Sequence, residues 1–200
     1  MVDTVALVYR TGGDYSLEYV DRLTKNCIRF GAKRVVCLTD DPDVASICEP
    51  IPLKHNWPGW WSKLELFEQL DSALYFDLDT VINGDITHLL EYNHKFTMLK
   101  GFSKNNQRGA SGVMAWNGDY AYLSENFSEE RIPEYTNILK SKWGDQDWIN
   151  DHIQSPVEYF QQIFPKQIVS RKCNSLVERQ NASVICYHGN PRPHNTGWAV

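Results

Sequence analysis

The sequence predicts an α/β protein with a mostly parallel central sheet and helices on both faces. Short apolar runs alternate with segments of helical periodicity through residues 1–80, and this alternation is typical of parallel sheets with crossover helices. Of the 200 residues, 42% are apolar and 12% are aromatic, which is enough for a globular core and excludes a chain disordered throughout. We therefore expect one domain spanning residues 1–200.

The first half of the chain predicts strand and helix in turn. Residues 4–9 form an apolar run, and residues 16–30 place Val20, Leu23 and Cys27 at helical spacing before Gly31 ends the helix. The remaining elements predicted in this half are a strand at 33–38, a short strand at 48–53, a helix at 60–70 and a strand at 73–76.

The second half predicts shorter elements. Its helices are expected at 86–92, 119–126, 133–142 and 146–153, and its strands at 96–100, 112–116 and 184–187. Two prolines within residues 189–194 exclude regular structure there, because proline lacks a backbone donor and restricts φ.

Charge and cysteine usage limit the classes of partner. The formal net charge is −5, so no global basic field for nucleic acid is expected. No stretch approaches 18 apolar residues, so we expect no membrane span. The five cysteines form no CxxC pair, which indicates reduced thiols and predicts a cytoplasmic location.

The segment Asp77-Leu78-Asp79 directly follows a predicted buried strand. Two carboxylates separated by one residue at a strand end can point to the same side. Their mutual repulsion favours a bound cation, and oxygen ligands suit Mn²⁺ or Mg²⁺ completed by substrate phosphates. Ligands of such sheets bind beyond the carboxyl ends of the strands, where residues 9–13 also lie, so the sequence predicts a phosphate-binding pocket there.

The same letters also fit another class of enzyme. The run from Phe76 to Val81 matches the first motif of haloacid dehalogenase-like phosphatases, in which Asp77 would be the nucleophile. That fold expects the motif on its opening strand and a late acidic pair, but two strand–helix units precede Asp77 here. Residues 144–149 also lack the required spacing.

Three later segments complete a pattern with the Asp-Leu-Asp motif. Residues 111–117 (SGVMAWN) resemble the NSGVxxxN segment of family 8 glycosyltransferases, the group of glycogenin and bacterial galactosyltransferases. Residues 144–150 (GDQDWIN) resemble the DQxxxN segment of that family, and residues 188–194 (HGNPRPH) resemble its closing HxxGxxKPW. The resemblance covers residues 4–195 and implies a GT-A fold.

The chain departs from this pattern at three positions. Ala110 stands where the family has Asn, Cys186 stands where its metal-binding His aligns, and His194 replaces its Trp. His188 lies on the same side of the predicted strand as Cys186 and is therefore expected to reach the metal instead. The resemblance is to a divergent GT-A enzyme related to family 8, of a small viral or bacterial type.

The resemblance implies roles for individual residues. Asp77, Asp79 and His188 are expected to bind Mn²⁺ or Mg²⁺, and Arg192 replaces the Lys that contacts the diphosphate of the donor. Asp145 is expected to accept hydrogen bonds from donor-sugar hydroxyls, with an N-cap role as the alternative, and Gln146 to lie beside the anomeric carbon. Tyr9, at the end of the first strand, is expected to stack on uracil or else to be part of the core.

Lys63 is predicted from helix phase. It lies within the apolar stripe of the predicted helix 60–70, in its first turn, where free backbone N–H groups favour an anion. The sequence therefore predicts a contact between Lys63 and the diphosphate, with a lysine that packs its aliphatic stem and extends its ammonium to solvent as the alternative.

Together these features predict transfer of a hexose, glucose or galactose, from a UDP-sugar to an acceptor hydroxyl on a carbohydrate or a protein. The family resemblance implies retention of anomeric configuration. Besides the phosphatase, two alternatives remain open, which are a sugar nucleotidyltransferase and a non-catalytic sugar-binding module. A nucleotidyltransferase should carry a Gly-rich basic loop after its first strand. A sugar-binding module has no need of Asp77, Asp79 and Arg192 together.

Overall fold

The structure is a computed structural model that describes residues 1–103, 108–137, 139 and 141–198. Within these residues the strands are β1 (Thr4–Tyr9), β2 (Arg34–Thr39), β3 (Glu49–Pro52), β4 (Ser72–Phe76), β5 (Thr80–Ile82), β6 (Phe96–Lys100), β7 (Gly109–Asn117), β8 (Glu158–Tyr159), β9 (Ile168–Ser170) and β10 (Val184–Cys186). The α-helices are α1 (Leu17–Arg29), α2 (Leu66–Gln69), α3 (Thr87–Glu91), α4 (Tyr122–Glu125), α5 (Ile132–Tyr135), α6 (Asp145–His152), α7 (Phe160–Ile163) and α8 (Leu176–Gln180).

Seven strands form the central sheet in the order β3-β2-β1-β4-β7-β6-β8. The first four of these are mutually parallel, β7 is antiparallel to both β4 and β6, and β8 is parallel to β6. A smaller sheet contains β5, β10 and β9, with β10 in the middle. The mostly parallel sheet expected from the alternation of strand and helix is confirmed.

Helices cover both faces of the central sheet because the side chains of its strands alternate. In β4, Leu74 and Phe76 belong to one core layer, whereas Ala73 and Tyr75 belong to the other. Helix α1 buries Val20, Leu23 and Cys27 in the first layer, at the spacing that the sequence predicts. Helices α2 and α6 pack in the second layer through Phe67 and Trp148.

Two predicted helices differ from the structure. Residues 59–65 form a 3₁₀ helix, Gly59–Glu65, and only Leu66–Gln69 continue as α-helix. The expected apolar stripe therefore breaks at its first member, since Trp60 is 57% exposed. The predicted helix 133–142 is replaced by a short 3₁₀ turn, Glu129–Arg131, and α5, while residues 138 and 140 of that prediction lie outside the described part of the chain.

The segment from 154 to 183 contains β8, α7, β9 and α8, for which the sequence shows no clear pattern. Each of these elements has five residues or fewer, so none is long enough to display a period of 2.0 or 3.6. β5 is missed for the same reason, because it has three residues and directly follows the Asp-Leu-Asp turn. Among the described residues, no helix is long and apolar enough to cross a membrane.

Candidate active site

A cleft of about 700 Å³ opens where β1 and β4 end. Its walls come from the loop after β1, the turn after β4, the start of β7, the start of α6 and the segment after β10. The polar residues of this lining include Asp14, Tyr15, Lys63, Asp77, Asp79, Ser111, Asp145, Gln146, His188 and Arg192. Segments far apart in sequence thus meet at the carboxyl edge of the parallel strands, as expected for such sheets.

The Asp-Leu-Asp segment forms a turn and not a continuation of β4. The N–H of Thr80 donates to the carbonyl of Asp77 at 2.9 Å, and Leu78 is buried. Both carboxylates line the cleft as expected. The turn places them there, and not the alternation of side chains along a strand. Gly112 on β7 permits this approach, because a Cβ there would lie 3.3 Å from Oδ2 of Asp77.

Lys63 lies at the buried end of the cleft and is 4% exposed. Its Nζ lies 2.9 Å from Oδ1 of Asp77 and 3.1 Å from Oδ2 of Asp145, and it donates to Oγ of Ser111 at 3.1 Å. Burial alone would lower the pKa of Lys63, but the charges of Asp145 and Asp77 outweigh burial and raise that pKa. Lys63 therefore stays an ammonium ion that holds two carboxylates.

The sequence-based reason for placing Lys63 at the site is wrong, although its side chain does reach the cleft. Lys63 lies in the last turn of the 3₁₀ helix Gly59–Glu65, away from the free N–H groups of a helix start. Asp145 is likewise the first residue of α6 and not its N-cap, which is Gly144. Asp145 is 5% exposed, and its carboxylate is directed to Lys63.

Arg192 makes a second group of charges with Asp79. Its Nη1 lies 2.5 Å from Oδ2 of Asp79 and 2.7 Å from the hydroxyl of Tyr15, and its Nη2 lies 3.1 Å from Oδ2 of Asp14. Tyr15 also donates to Oδ2 of Asp79 at 3.0 Å. Each carboxylate of the Asp-Leu-Asp segment is thus paired with a different cation.

The two carboxylates nevertheless interact unfavourably. Burial and the charge of Asp77 raise the pKa of Asp79 to about 6, although Arg192 and Tyr15 oppose this shift. A cleft that disfavours the second negative charge would be stabilised by an additional cation.

His188 and Cys186 both line the cleft, but only Cys186 has its pKa shifted by the charges of Asp77 and Asp79. The ring of His188 bonds through Nε2 to Oγ of Ser170 at 2.7 Å and stacks on Phe102. Burial and the charge of Lys172 lower the pKa of His188. The thiol of Cys186 is buried, and burial together with the charges of Asp79 and Asp77 raises its pKa.

The fit of these residues to a divalent cation can be judged from their chemistry. Two carboxylates that repel each other supply the oxygen ligands that Mn²⁺ or Mg²⁺ prefers, and an imidazole lines the same cleft. In the described part of the chain, no three His, Cys, Asp or Glu side chains are arranged to hold a metal. The donor atoms therefore fit such a cation in kind, with substrate phosphates left to complete its shell.

Tyr9 does not lie where the resemblance implies. It is 7% exposed and packs in the first core layer, while its neighbours Val8 and Arg10 line the cleft. The alternation of β1 directs Tyr9 away from the ligand side, so its expected contact with uracil is corrected to a core role. Gln146 lines the cleft as expected.

Two tyrosines at the site were missed by sequence reasoning. Tyr75 donates to Oδ1 of Asp77 at 2.5 Å, and Tyr15 contacts Asp79 and Arg192. Tyr75 lies two residues before Asp77, so the strand period offered a signal for it. Tyr15 lies in an irregular loop, where the sequence offers no comparable pattern.

No protein-family model matches the chain, and no curated protein matches it in sequence. Solved structures do resemble its fold. The glycosyltransferase GlyE of Streptococcus pneumoniae TIGR4 is 14% identical with a TM-score of 0.70, and the similarity covers 97% of this chain and 56% of that one. The galactosyltransferase LgtC, solved with donor and acceptor sugar analogs, is 14% identical with a TM-score of 0.61, covering 95% of this chain and 88% of that one.

A glycosyltransferase involved in the glycosylation of the major capsid of PBCV-1 is 11% identical with a TM-score of 0.56, and 97% of each chain is covered. The chain spans little more than half the length of GlyE. These similarities establish the class of fold, which is the α/β fold of GT-A glycosyltransferases.

The raised pKa of Asp79 predicts a pH dependence of stability in metal-free protein. The folded state binds more protons than the unfolded state between the ordinary pKa of 3.8 and about 6. The free energy of unfolding, relative to that of Asp79→Asn, should therefore fall as pH rises through this window and then level off. Urea unfolding at pH 4–8 with a chelator measures this difference, and a constant or rising difference would contradict it.

The burial of Lys63 predicts that removing its charge is costly. Lys63→Met leaves the buried carboxylate of Asp145 without its cation, which should reduce the free energy of unfolding by about 3–5 kcal/mol. The double variant Lys63→Met/Asp145→Asn should lose less than the sum of the single variants.

The matched control is Lys25→Met. Lys25 pairs with Asp21, but its side chain is 73% exposed, so its loss should cost less than about 1 kcal/mol. Chemical denaturation of the four variants and the parent provides the comparison. Additive losses at Lys63 and Asp145 would show that the two residues are energetically independent.

Proposed function

We propose that the chain is a metal-dependent glycosyltransferase related to family 8, which transfers a hexose from a UDP-sugar to an acceptor hydroxyl. The observation that carries this proposal is the pair of carboxylates, Asp77 and Asp79, which line one cleft beside Lys63 and Arg192. That constellation lies at the carboxyl end of the parallel strands of a fold shared with glycosyltransferases.

Asp77, Asp79 and His188 would hold the divalent cation. The cation would act as a Lewis acid that neutralises negative charge on the leaving diphosphate. The raised pKa of Asp79 supports this assignment, because its causes, burial and the charge of Asp77, both disfavour a negative charge that a bound cation would stabilise.

Arg192 would bind the diphosphate of the donor. A guanidinium can make two parallel hydrogen bonds to phosphate oxygens, and Nη1 and Nη2 of Arg192 already contact two different carboxylates. In the donor complex, the guanidinium would bind phosphate oxygens in place of Asp79. Its contact with Tyr15 would keep it oriented during this exchange.

Lys63 has a more structural role in this proposal than the sequence suggests. It would hold Asp77 towards the cation and Asp145 towards the donor sugar, since its ammonium lies about 3 Å from both carboxylates. Asp145 would accept hydrogen bonds from sugar hydroxyls, and Gln146 would lie beside the anomeric carbon and stabilise developing positive charge there. An amide is a poor nucleophile, so positioning and charge stabilisation are the roles we assign to Gln146.

The resemblance to family 8 and the similarity in fold to a galactosyltransferase support the donor class that we propose. We propose glucose or galactose as the sugar, and retention of anomeric configuration in line with the resemblance to family 8. Two observations disfavour the phosphatase alternative. Oδ1 of Asp77 is held by both Lys63 and Tyr75. Asp77 also follows β4, the fourth strand along the chain, and not the opening strand.

The proposal predicts cation-dependent binding and turnover. Isothermal calorimetry should show strong UDP binding with Mn²⁺ and much weaker binding with EDTA. Asp77→Asn and Asp79→Asn should abolish hydrolysis or transfer of UDP-glucose and UDP-galactose while the far-UV spectrum remains unchanged. Asp3→Asn removes an exposed carboxylate outside the cleft and is the matched control with parent activity.

His188→Ala and Cys186→Ala identify the third ligand in the same experiment. His188→Ala should weaken Mn²⁺ binding, and Cys186→Ala should have little effect. Equal UDP affinity with Mn²⁺ and with EDTA would refute the metal assignment as a whole.

A separate prediction concerns Arg192. Its contact should strengthen as negative charge builds on the leaving UDP, so Arg192→Ala should reduce kcat by roughly 10²–10³-fold. Arg192→Lys should be milder, because it retains the charge but loses the bidentate geometry. Steady-state kinetics with UDP-sugars and Mn²⁺ measures this order, and an unchanged kcat in Arg192→Ala would leave Arg192 a structural partner of Asp79.

A further inference from the structure

Two tryptophans in the wall of the cleft are exposed to solvent. Trp60 and Trp143 are each 57% exposed, and both line the cleft of Asp77 and Asp145. In contrast, four other tryptophans are buried, namely Trp57, Trp61, Trp116 and Trp148. An indole left in water forgoes the hydrophobic stabilisation that burial would give, and an exposed apolar patch within a cleft indicates a binding surface.

The backbone between these tryptophans and α6 is held in an unusual conformation. Gly144 directly follows Trp143 and has a φ of 94°, which side chains rarely adopt. A Cβ at this position would lie 2.5 Å from Nε1 of Trp60. Gly144 is therefore required both by its backbone angles and by the approach of the Trp60 indole.

Hydrogen bonds anchor the same segment. The N–H of Trp143 donates to Oδ2 of Asp147 at 2.7 Å, and the N–H of Gly144 donates to the carbonyl of Tyr135 at 2.7 Å. The backbone of Trp143 is thus anchored by hydrogen bonds, and Trp60 belongs to the 3₁₀ helix Gly59–Glu65. A ligand would therefore not have to order a free loop to use the two indoles.

The aromatic surface lies next to polar groups of the proposed reaction centre. Trp60 and Lys63 belong to one 3₁₀ helix and are three residues apart, so they project from the same face. Trp143 precedes Asp145 by two residues. Oδ2 of Asp145 is buried and pairs with the ammonium of Lys63 at 3.1 Å.

We propose that Trp60 and Trp143 form an aromatic platform for the acceptor, and that the acceptor is a saccharide. This inference rests on the proposed function and selects a carbohydrate over a protein side chain. A pyranose ring has an apolar face of C–H groups and a rim of hydroxyls, which matches flat indoles beside a buried carboxylate acceptor. A sugar stacked on the platform presents its hydroxyls next to Lys63 and Asp145, where the donor sugar is proposed to bind.

The test measures saccharide binding to the full chain with and without a donor. The probes are methyl β-galactoside, methyl β-glucoside, lactose and maltose, with a tyrosine-containing peptide as the non-saccharide comparison. Saturation-transfer NMR gives dissociation constants without UDP-sugar, and UDP release from UDP-glucose and UDP-galactose with Mn²⁺ gives the KM for each probe.

Trp60→Ala and Trp143→Ala should each raise the dissociation constant and KM of the bound saccharide roughly tenfold, the value of one good aromatic contact. This loss should exceed any change in UDP affinity. Trp60→Tyr and Trp143→Tyr should retain most of the affinity, because they keep an aromatic face. Leu176→Ala, at a side chain that is 50% exposed outside the cleft, is the matched control and should behave as the parent.

Three outcomes would overturn the proposal. The first is parent-like saccharide affinity in both alanine variants. The second is an equal loss of saccharide and UDP affinity, which would assign the indoles to the nucleotide. The third is a preference for the peptide over every saccharide. If the parent binds saccharides through these tryptophans but does not turn over UDP-sugars, the proposed function fails while the platform stands.

Discussion

The buried ammonium of Lys63 is the interaction on which the rest of the cleft depends. It holds Asp77, Asp145 and Ser111, which come from the turn after β4, the start of α6 and the strand β7. Burying a carboxylate as deeply as Asp145 is unfavourable unless a cation neutralises it. One lysine therefore joins three segments of the fold and determines where the acids of the cleft can lie.

A second cation, Arg192, balances the other carboxylate of the turn. The cleft is consequently a site of alternating charge, in which Asp79 remains difficult to ionise because it is buried and close to Asp77. An added cation or phosphate would therefore compete with the existing partners of these charges. The indoles of Trp60 and Trp143 add an uncharged surface beside these groups, so that one cleft offers both ionic and apolar contacts.

Much of the fold could be predicted from the sequence, because its longest elements bury continuous or periodic apolar faces. β1, α1, β2 and β4 were expected close to their observed positions. The short elements between residues 154 and 183 were not, since two to five residues do not display a period. The 3₁₀ helix at Gly59–Glu65 was expected as α-helix, and this changes which residues face the core.

By itself, the sequence determined the α/β class and the acids and cations available at the strand ends, because hydrophobic periodicity and local order are properties of neighbouring residues. Only the tertiary structure decided which charges meet. Asp77 pairs with Lys63 and Asp79 with Arg192, residues that are 14 and 113 positions away in the chain. The side chain of Tyr9 lies in the core and that of Trp60 lies outside it, because the direction of a side chain depends on the geometry of the whole element. Electrostatic pairing acts through space, and its partners are set by how the strands, turns and helices pack together.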